Sequence, residues 1–219
     1  MREGTGYGTM GGMNADQVAA LRVLLAPTGW LDRTRYFART LRDCSRTPQG
    51  LLVVGTRDDE PWHMTAHLAD EARLARLPEL APTLVRWSPP PGAPAHLRVG
   101  LDRLAAAGRR ETLLVVSPQA ASEELLERVS DVRRAGATIF SLDRGDPELD
   151  ALAHEALAVP EGTAPLSFDA AQHLVSAAAG DSQPPAGRRP GPVPGGSSLR
   201  SRLAQLLNTV SGPPPGSAD

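Results

Sequence analysis

Apolar residues along this chain fall into short unbroken runs, separated by stretches in which they recur every three or four positions. LLVV at 51–54, TLLVV at 112–116 and ATIFSL at 137–142 would be apolar on both faces of a strand, and TLVRW at 83–87 is a weaker run of the same kind. Strands without in–out alternation suit a parallel sheet covered by helices on each side. ALAVP at 156–160 predicts a fifth strand. Between these runs the helical period predicts helices over about 31–46, 62–77, 98–107 and 122–135, a short one over 147–154, and a last one over 167–180. Gly108 and Gly136 stand where helix C-caps are expected. The alternation implies right-handed crossovers and a three-layer α/β/α sandwich around a mainly parallel five-stranded sheet.

The same reading divides the rest of the chain. Residues 1–12 are Gly-rich and predict a disordered N-terminal extension, which makes Met13 an alternative start to Met1. Asn14 can cap a helix over 15–26, with Val18, Leu21 and Leu25 on one stripe and Pro27 and Gly29 ending it. In the helix over 31–46, Tyr36, Phe37, Leu41 and Cys44 form the expected apolar face, and Arg33, Arg35, Arg39, Arg42 and Arg46 form a solvated one. The α/β domain spans 13–180. DSQPPAGRRPGPVPGGS, 181–197, cannot build a core and reads as a Pro/Gly-rich linker. Beyond it, 198–210 places Leu199, Leu203, Leu206, Leu207 and Val210 on one helical face, an appended C-terminal amphipathic helix, and 211–219 reads as a disordered tail. That apolar face must be buried against its own domain, a second copy or another protein. Docking on its own domain or dimer is the expectation, and a protein partner through 198–210 is the alternative.

Composition narrows the classes. The chain has 219 residues and a net charge of −2, and its basic residues are all Arg, with no Lys. No basic block of nucleic-acid type stands out, and no apolar run approaches a membrane span. The single cysteine, Cys44, excludes an intramolecular disulfide and a multi-cysteine metal site, and its place on an apolar helix face predicts a buried thiol. The opening residues lack a signal-peptide core. The expectation is a cytoplasmic protein with neither nucleic acid nor membrane as partner.

Chemistry is sought beyond the carboxyl ends of the strands, where open parallel sheets gather ligands. Three loops qualify: Gly55 to Asp58, Ser117 to Ser122, and Asp143 to Asp146. Their hydroxyls and helix N-terminal amides suit a phosphate or a sugar. Asp58, Asp59, Glu60, Glu123 and Glu124 stand in first-turn positions, however, where they complement the helix dipole and repel an anion. His63 and His67 are one helical turn apart, with Asp70 and Glu71 a turn further on. Two histidines at that spacing can chelate a metal. No HExxH glutamate lies between them and no third ligand is evident, so no metal and no cofactor is assigned, and a place at an interface or pocket rim is expected. His96, His154 and His173 read as structural. There is no nucleophile elbow, Walker loop or GxGxxG. Ser117, a histidine and Asp143 would make only the Ser–His–Asp combination that any α/β protein offers.

On these elements the chain resembles the sugar isomerase (SIS) fold, a Rossmann-like domain that binds phosphosugars in aminosugar synthases and phosphosugar isomerases. As topology the resemblance covers about 14–180, and as a pattern it is best over 111–160. The family motif S-x-S-G-x-T-x-E falls on residues 117–124: Ser117, Ser122 (for Thr) and Glu124 match, whereas Gln119 replaces a serine and Ala120 a glycine. The run from 146 to 162 is similar to the family's short helix and last strand, with His154 where Asp is usual. In the first turn Gly55 matches, but Thr56-Arg57-Asp58 replaces a glycine-rich continuation. The resemblance implies a ligand site of Gly55, Thr56, Arg57, Ser117, Gln119, Ser122 and Glu124 for a sugar phosphate or other small anion. It also implies a homodimer paired through the helix at 31–46 or the one at 62–77. Losing the glycine removes close backbone approach and losing the serine removes a donor, with Arg57 as a partial substitute. The expected function is therefore a non-catalytic, dimeric ligand-binding or regulatory interaction module. The alternative is a phosphosugar isomerase with a remodelled site, in which Glu71 or a histidine moves the proton. A metal-dependent hydrolase on His63 and His67 ranks third. The whole chain also resembles a family of actinobacterial signature proteins, which implies no activity.

Overall fold

A computed structural model describes residues 29–162 and 166–181. The helices expected at 15–26 and 198–210, the 1–12 extension, nearly all of the 181–197 linker and the 211–219 tail lie outside the described residues. Within them the order is α1 (Trp30–Cys44), β1 (Leu51–Val54), α2 (Trp62–Ala75), β2 (Pro82–Val85), α3 (Asp102–Ala105), β3 (Thr112–Ser117), α4 (Glu123–Arg134), β4 (Thr138–Asp143), α5 (Pro147–Leu152), β5 (Glu155–Ala158) and α6 (Phe168–Gly180). The five strands pair in parallel in the order β2-β1-β3-β4-β5. The chain leaves β1 in one direction and returns to its other side with β3, so the topological switch point lies between β1 and β3.

Alternate residues of each strand supply two separate cores. Leu51, Val53, Leu114, Val116, Phe140 and Leu142 pack under α1, α2 and α6, against Phe37, Leu41, Met64, Leu68, Ala171 and Val175. Leu52, Val54, Leu113, Val115 and Ile139 pack on the other face, against Leu104 of α3, Leu125, Val129 and Val132 of α4, and Leu149 of α5. This is why both faces of the strand runs are apolar. α6 lies between α1 and α2 and is buried along most of its length, which its run of small residues from Ser176 to Gly180 permits.

The caps are local and chemical. Ser122 accepts the Leu125 amide at 3.3 Å and Ser167 accepts the Ala170 amide at 3.1 Å. Pro147 opens α5 behind the Asp146 cap. Gly136, at φ +98°, closes α4: its amide donates to Arg133 and that of Ala137 to Val132, a Schellman ending. No helix among the described residues is long and apolar enough to cross a membrane.

Several expectations need correction. Tyr36 is 60% exposed, and the buried face of α1 is instead Trp30, Thr34, Phe37, Ala38 and Leu41. The helix expected over 98–107 shrinks to the four residues of α3 because Gly100 bridges Arg86 and the Arg86 amide bonds Val99, holding 99–100 extended at the sheet edge. Gly108 consequently caps nothing in the left-handed region, and its amide donates to Glu111 at 2.7 Å. Cys44 is half-buried, not buried, with desolvation raising its thiol pKa.

Candidate functional site

The parallel sheet brings the loops after β1, β3 and β4 to one edge, as the pattern of strands predicts. The β1 loop is shaped by packing. A side chain at Gly55 would overlap the Asp59 carbonyl oxygen and Cδ of Pro61, so the glycine serves the loop's own backbone. Thr56, buried, accepts the Asp59 amide through Oγ1 at 3.1 Å. Trp87, just past β2, donates its indole N–H to the Gly55 carbonyl at 2.9 Å. Arg86 holds Glu60 in a well-shielded ion pair at 2.7 Å and stacks on Trp62, whose indole also donates to Glu60.

The β3 loop is closed on itself. Ser117 is fully buried and donates its hydroxyl to the Gln119 carbonyl. The Ala121 amide donates to Asp146 Oδ2 at 2.7 Å, while Oδ1 of the same carboxylate accepts the Glu148 and Leu149 amides. Asp146 thus caps α5 and ties the β3 and β4 loops together. The Asp143 carboxylate, fully buried at the end of β4, accepts the Gly145 and Asp146 amides through Oδ1, and its Oδ2 has no hydrogen-bond partner among the described residues. Arg57 reaches across from the β1 loop to pair with Glu124 at 2.9 Å, its guanidinium 5.2 Å from the Trp87 ring. Bonds from Arg128 and Arg57 hold the Glu124 carboxyl below its ordinary range.

Beside these loops opens a cleft of about 310 Å³. Asp59, Glu60 and His63 line one side, Pro118 and Arg144 its floor at the strand ends, and Ser167, Phe168, Asp169 and Gln172 of the α6 start the other. Burial pushes the Asp59 carboxyl up, and the negative charge of Asp169 adds to the shift. Arg144 stacks on Phe168 at 5.5 Å. With Glu60 already paired to Arg86, the carboxyls of Asp59 and Asp169 against the one guanidinium of Arg144 disfavour a phosphate dianion in the cleft.

On the α2–α6 wall stand His63, His67 and His173. The ring centroids are 4.8 Å (63–67), 4.5 Å (63–173) and 4.2 Å (67–173) apart, and the Nε2 atoms of His63 and His173 share a 2.9 Å hydrogen bond. Burial and then the neighbouring imidazoles lower the pKa of His67, and that of His173 to about 4; Asp70 and Asp169 oppose the shifts only in part.

With this geometry in hand, solved structures supply the comparison. A protein assigned as a phosphosugar isomerase, from Silicibacter pomeroyi DSS-3, is similar over 90% of this chain and 54% of its own, at 16% identity and a TM-score of 0.51. The fold is SIS-like. A protein assigned as sugar-binding, from Salmonella typhimurium LT2, is similar over 85% of this chain and 56% of its own, at 17% identity and a TM-score of 0.45. The sugar isomerase domain of an RpiR transcription factor from Sphaerobacter thermophilus is similar over 73% and 88%, at 13% identity and a TM-score of 0.45. The chain spans little more than half the length of the first two proteins. No family model and no curated protein matches the sequence.

In this SIS-like frame the residues expected from sequence do gather at the switch point, from Gly55, Thr56 and Arg57 on one loop to Ser117, Gln119, Ser122 and Glu124 on the other. None of the seven lines the cleft, to which the β3 loop contributes Pro118. Glu71, considered as a proton carrier, is buried in α2 and does not line it either. Arg144 lies in the Asp143–Asp146 loop that the sequence reading singled out, whereas Asp169, Gln172 and the approach of His173 to His63 and His67 were missed. A signal for the α6 residues existed: Asp169, Gln172, His173 and Ser176 make a polar stripe at helical spacing in a helix otherwise rich in Ala, Leu and Val.

Proposed function

We propose that this SIS-like chain is a non-catalytic binding module, acting as a homodimer, whose cleft takes a sugar or similar hydroxyl-rich ligand without a phosphate. The observation that carries the reading is Asp146: its carboxylate already holds the Ala121 amide in the loop where an anion would be received. Ser117 Oγ and Arg57 are likewise engaged within the protein. The cleft itself offers carboxylates, an amide, an imidazole and one guanidinium, a set that suits hydroxyl groups. Stabilisation by ligand follows mass action and reaches about 2.7 kcal/mol at a hundredfold excess over Kd. In a thermal-shift panel of aldoses, aminosugars, polyols and their phosphate esters, at least one unphosphorylated compound is expected to stabilise the protein more than its ester. A larger shift with the esters, their isomerisation in a turnover assay, or a flat response to the whole panel would each defeat the proposal.

Arg57 separates this reading from a phosphosugar site. Its pair with Glu124 is exposed on both sides, the class of ion pair that contributes little to stability. Arg57→Ala is expected to leave both the melting temperature and any ligand-induced shift unchanged. Selective loss of a phosphosugar response in the variant would identify Arg57 as an anion ligand.

A further inference from the structure

α2 presents His63 and His67 one turn apart, and α6, packed along it, sets His173 against both. One ring nitrogen from each lies within 4.8 Å of the other two. Because two Nε2 atoms share one hydrogen bond at 2.9 Å, only one of them carries the proton there, and the other presents a lone pair. Nδ1 of His173 and Oε1 of the adjoining Gln172 are buried and have no hydrogen-bond partner among the described residues.

We propose that His63, His67 and His173 form a divalent transition-metal site, fitted to zinc, between α2 and α6 beside the cleft. Three neutral nitrogens without a thiolate suit zinc, copper or nickel and not the oxygen-seeking magnesium or calcium. Zinc–imidazole bonds of about 2.0–2.1 Å in a tetrahedron put ligand nitrogens roughly 3.3 Å apart, so the three rings need only small rotations to converge. Binding replaces the His63–His173 hydrogen bond with two coordinate bonds. Three protein ligands leave a fourth position for water or a ligand oxygen. His63 also lines the cleft, which places the metal beside whatever occupies it. The site stands on these residues whatever the cleft's ligand.

The test uses the untagged full chain, stripped with chelator and titrated with zinc alone by calorimetry. One zinc per chain is expected. His67→Gln and His173→Gln should each weaken binding at least as much as the ~10–100-fold that losing even an outer-shell partner costs. His96→Gln, at an exposed position, should bind as the parent does. Cobalt on the unaltered protein should give the intense visible absorption of a tetrahedral centre. Zinc should also move the imidazole NMR signals of three of the five histidines. These last two readouts hold even if a variant fails to fold. Absence of saturable zinc binding, affinity untouched by His173→Gln, or zinc-shifted signals from His96 or His154 instead would overturn the proposal.

Discussion

Phe140→Ala is expected to destabilise the domain by about 3–5 kcal/mol. Phe140 sits in β4, fully buried, and meets Phe37 of α1 edge-on, with centroids 5.4 Å apart and planes at 85°. The chain has only three phenylalanines and three tryptophans, and its other core residues are mostly Leu, Val and Ala. Few neighbours can therefore swing in to fill the hole. Ala171, Ala178 and Ala179 of α6 belong to the same buried cluster and are too short to fill the hole, which raises the cavity cost. For a domain of this size the loss corresponds to a fall in melting temperature on the order of 10 °C. Urea titration gives the free energy directly, and the slope should stay near the parent's if the variant unfolds in two states. A loss below ~1 kcal/mol would mean that α1 does not pack on the sheet as described.

The strands were legible for a definite reason. LLVV and TLLVV sit between two helical layers, so both of their faces are apolar, and no other common arrangement demands that of so short a run. Ser122 was legible as a helix start because an N-cap is local chemistry: a hydroxyl, an amide three residues on, and acidic residues in the first turn. Tyr36 misled because a helical stripe shows where apolar residues recur, not where the buried arc ends. The limits of the 98–107 stretch depended on a bridge from Arg86 to Gly100, which no local pattern carries. The site was legible in place but not in state. That three loops meet at one edge follows from parallel strands. That Ser117 turns inward, and that Asp146 takes an amide 25 residues away, follows from tertiary geometry. The histidine pair was visible in the sequence, but its third member is 110 residues from His63 and is reached only through the packing of α6 on α2.

Asp146→Ala is expected to cost about 2–3 kcal/mol and to make the protein responsive to phosphate. The carboxylate accepts three amides: two at the α5 start, a capping role, and Ala121 in the β3 loop. Removing it leaves part-buried donors to find water or a new acceptor. Some of the loss is offset, because Asp146 is one of a group of like charges: its charge and that of Asp143 both raise the Asp150 carboxyl above its ordinary value, behind the larger effect of burial. Asp146→Asn sharpens the experiment. An amide side chain has one oxygen, so it can cap α5 or receive the Ala121 N–H but cannot do both as the carboxylate does. Its stability should fall between those of the parent and the alanine variant. If Asp146 stands in for a bound anion, inorganic phosphate should raise the melting temperature of both variants relative to chloride at matched ionic strength, while the parent stays indifferent. The gain should be modest, since Asp143 and the acidic cleft remain. The opposite pattern, a parent stabilised by phosphate and variants that lose the effect, would make Asp146 a support of a working anion site and would return the β3 loop to the phosphosugar reading.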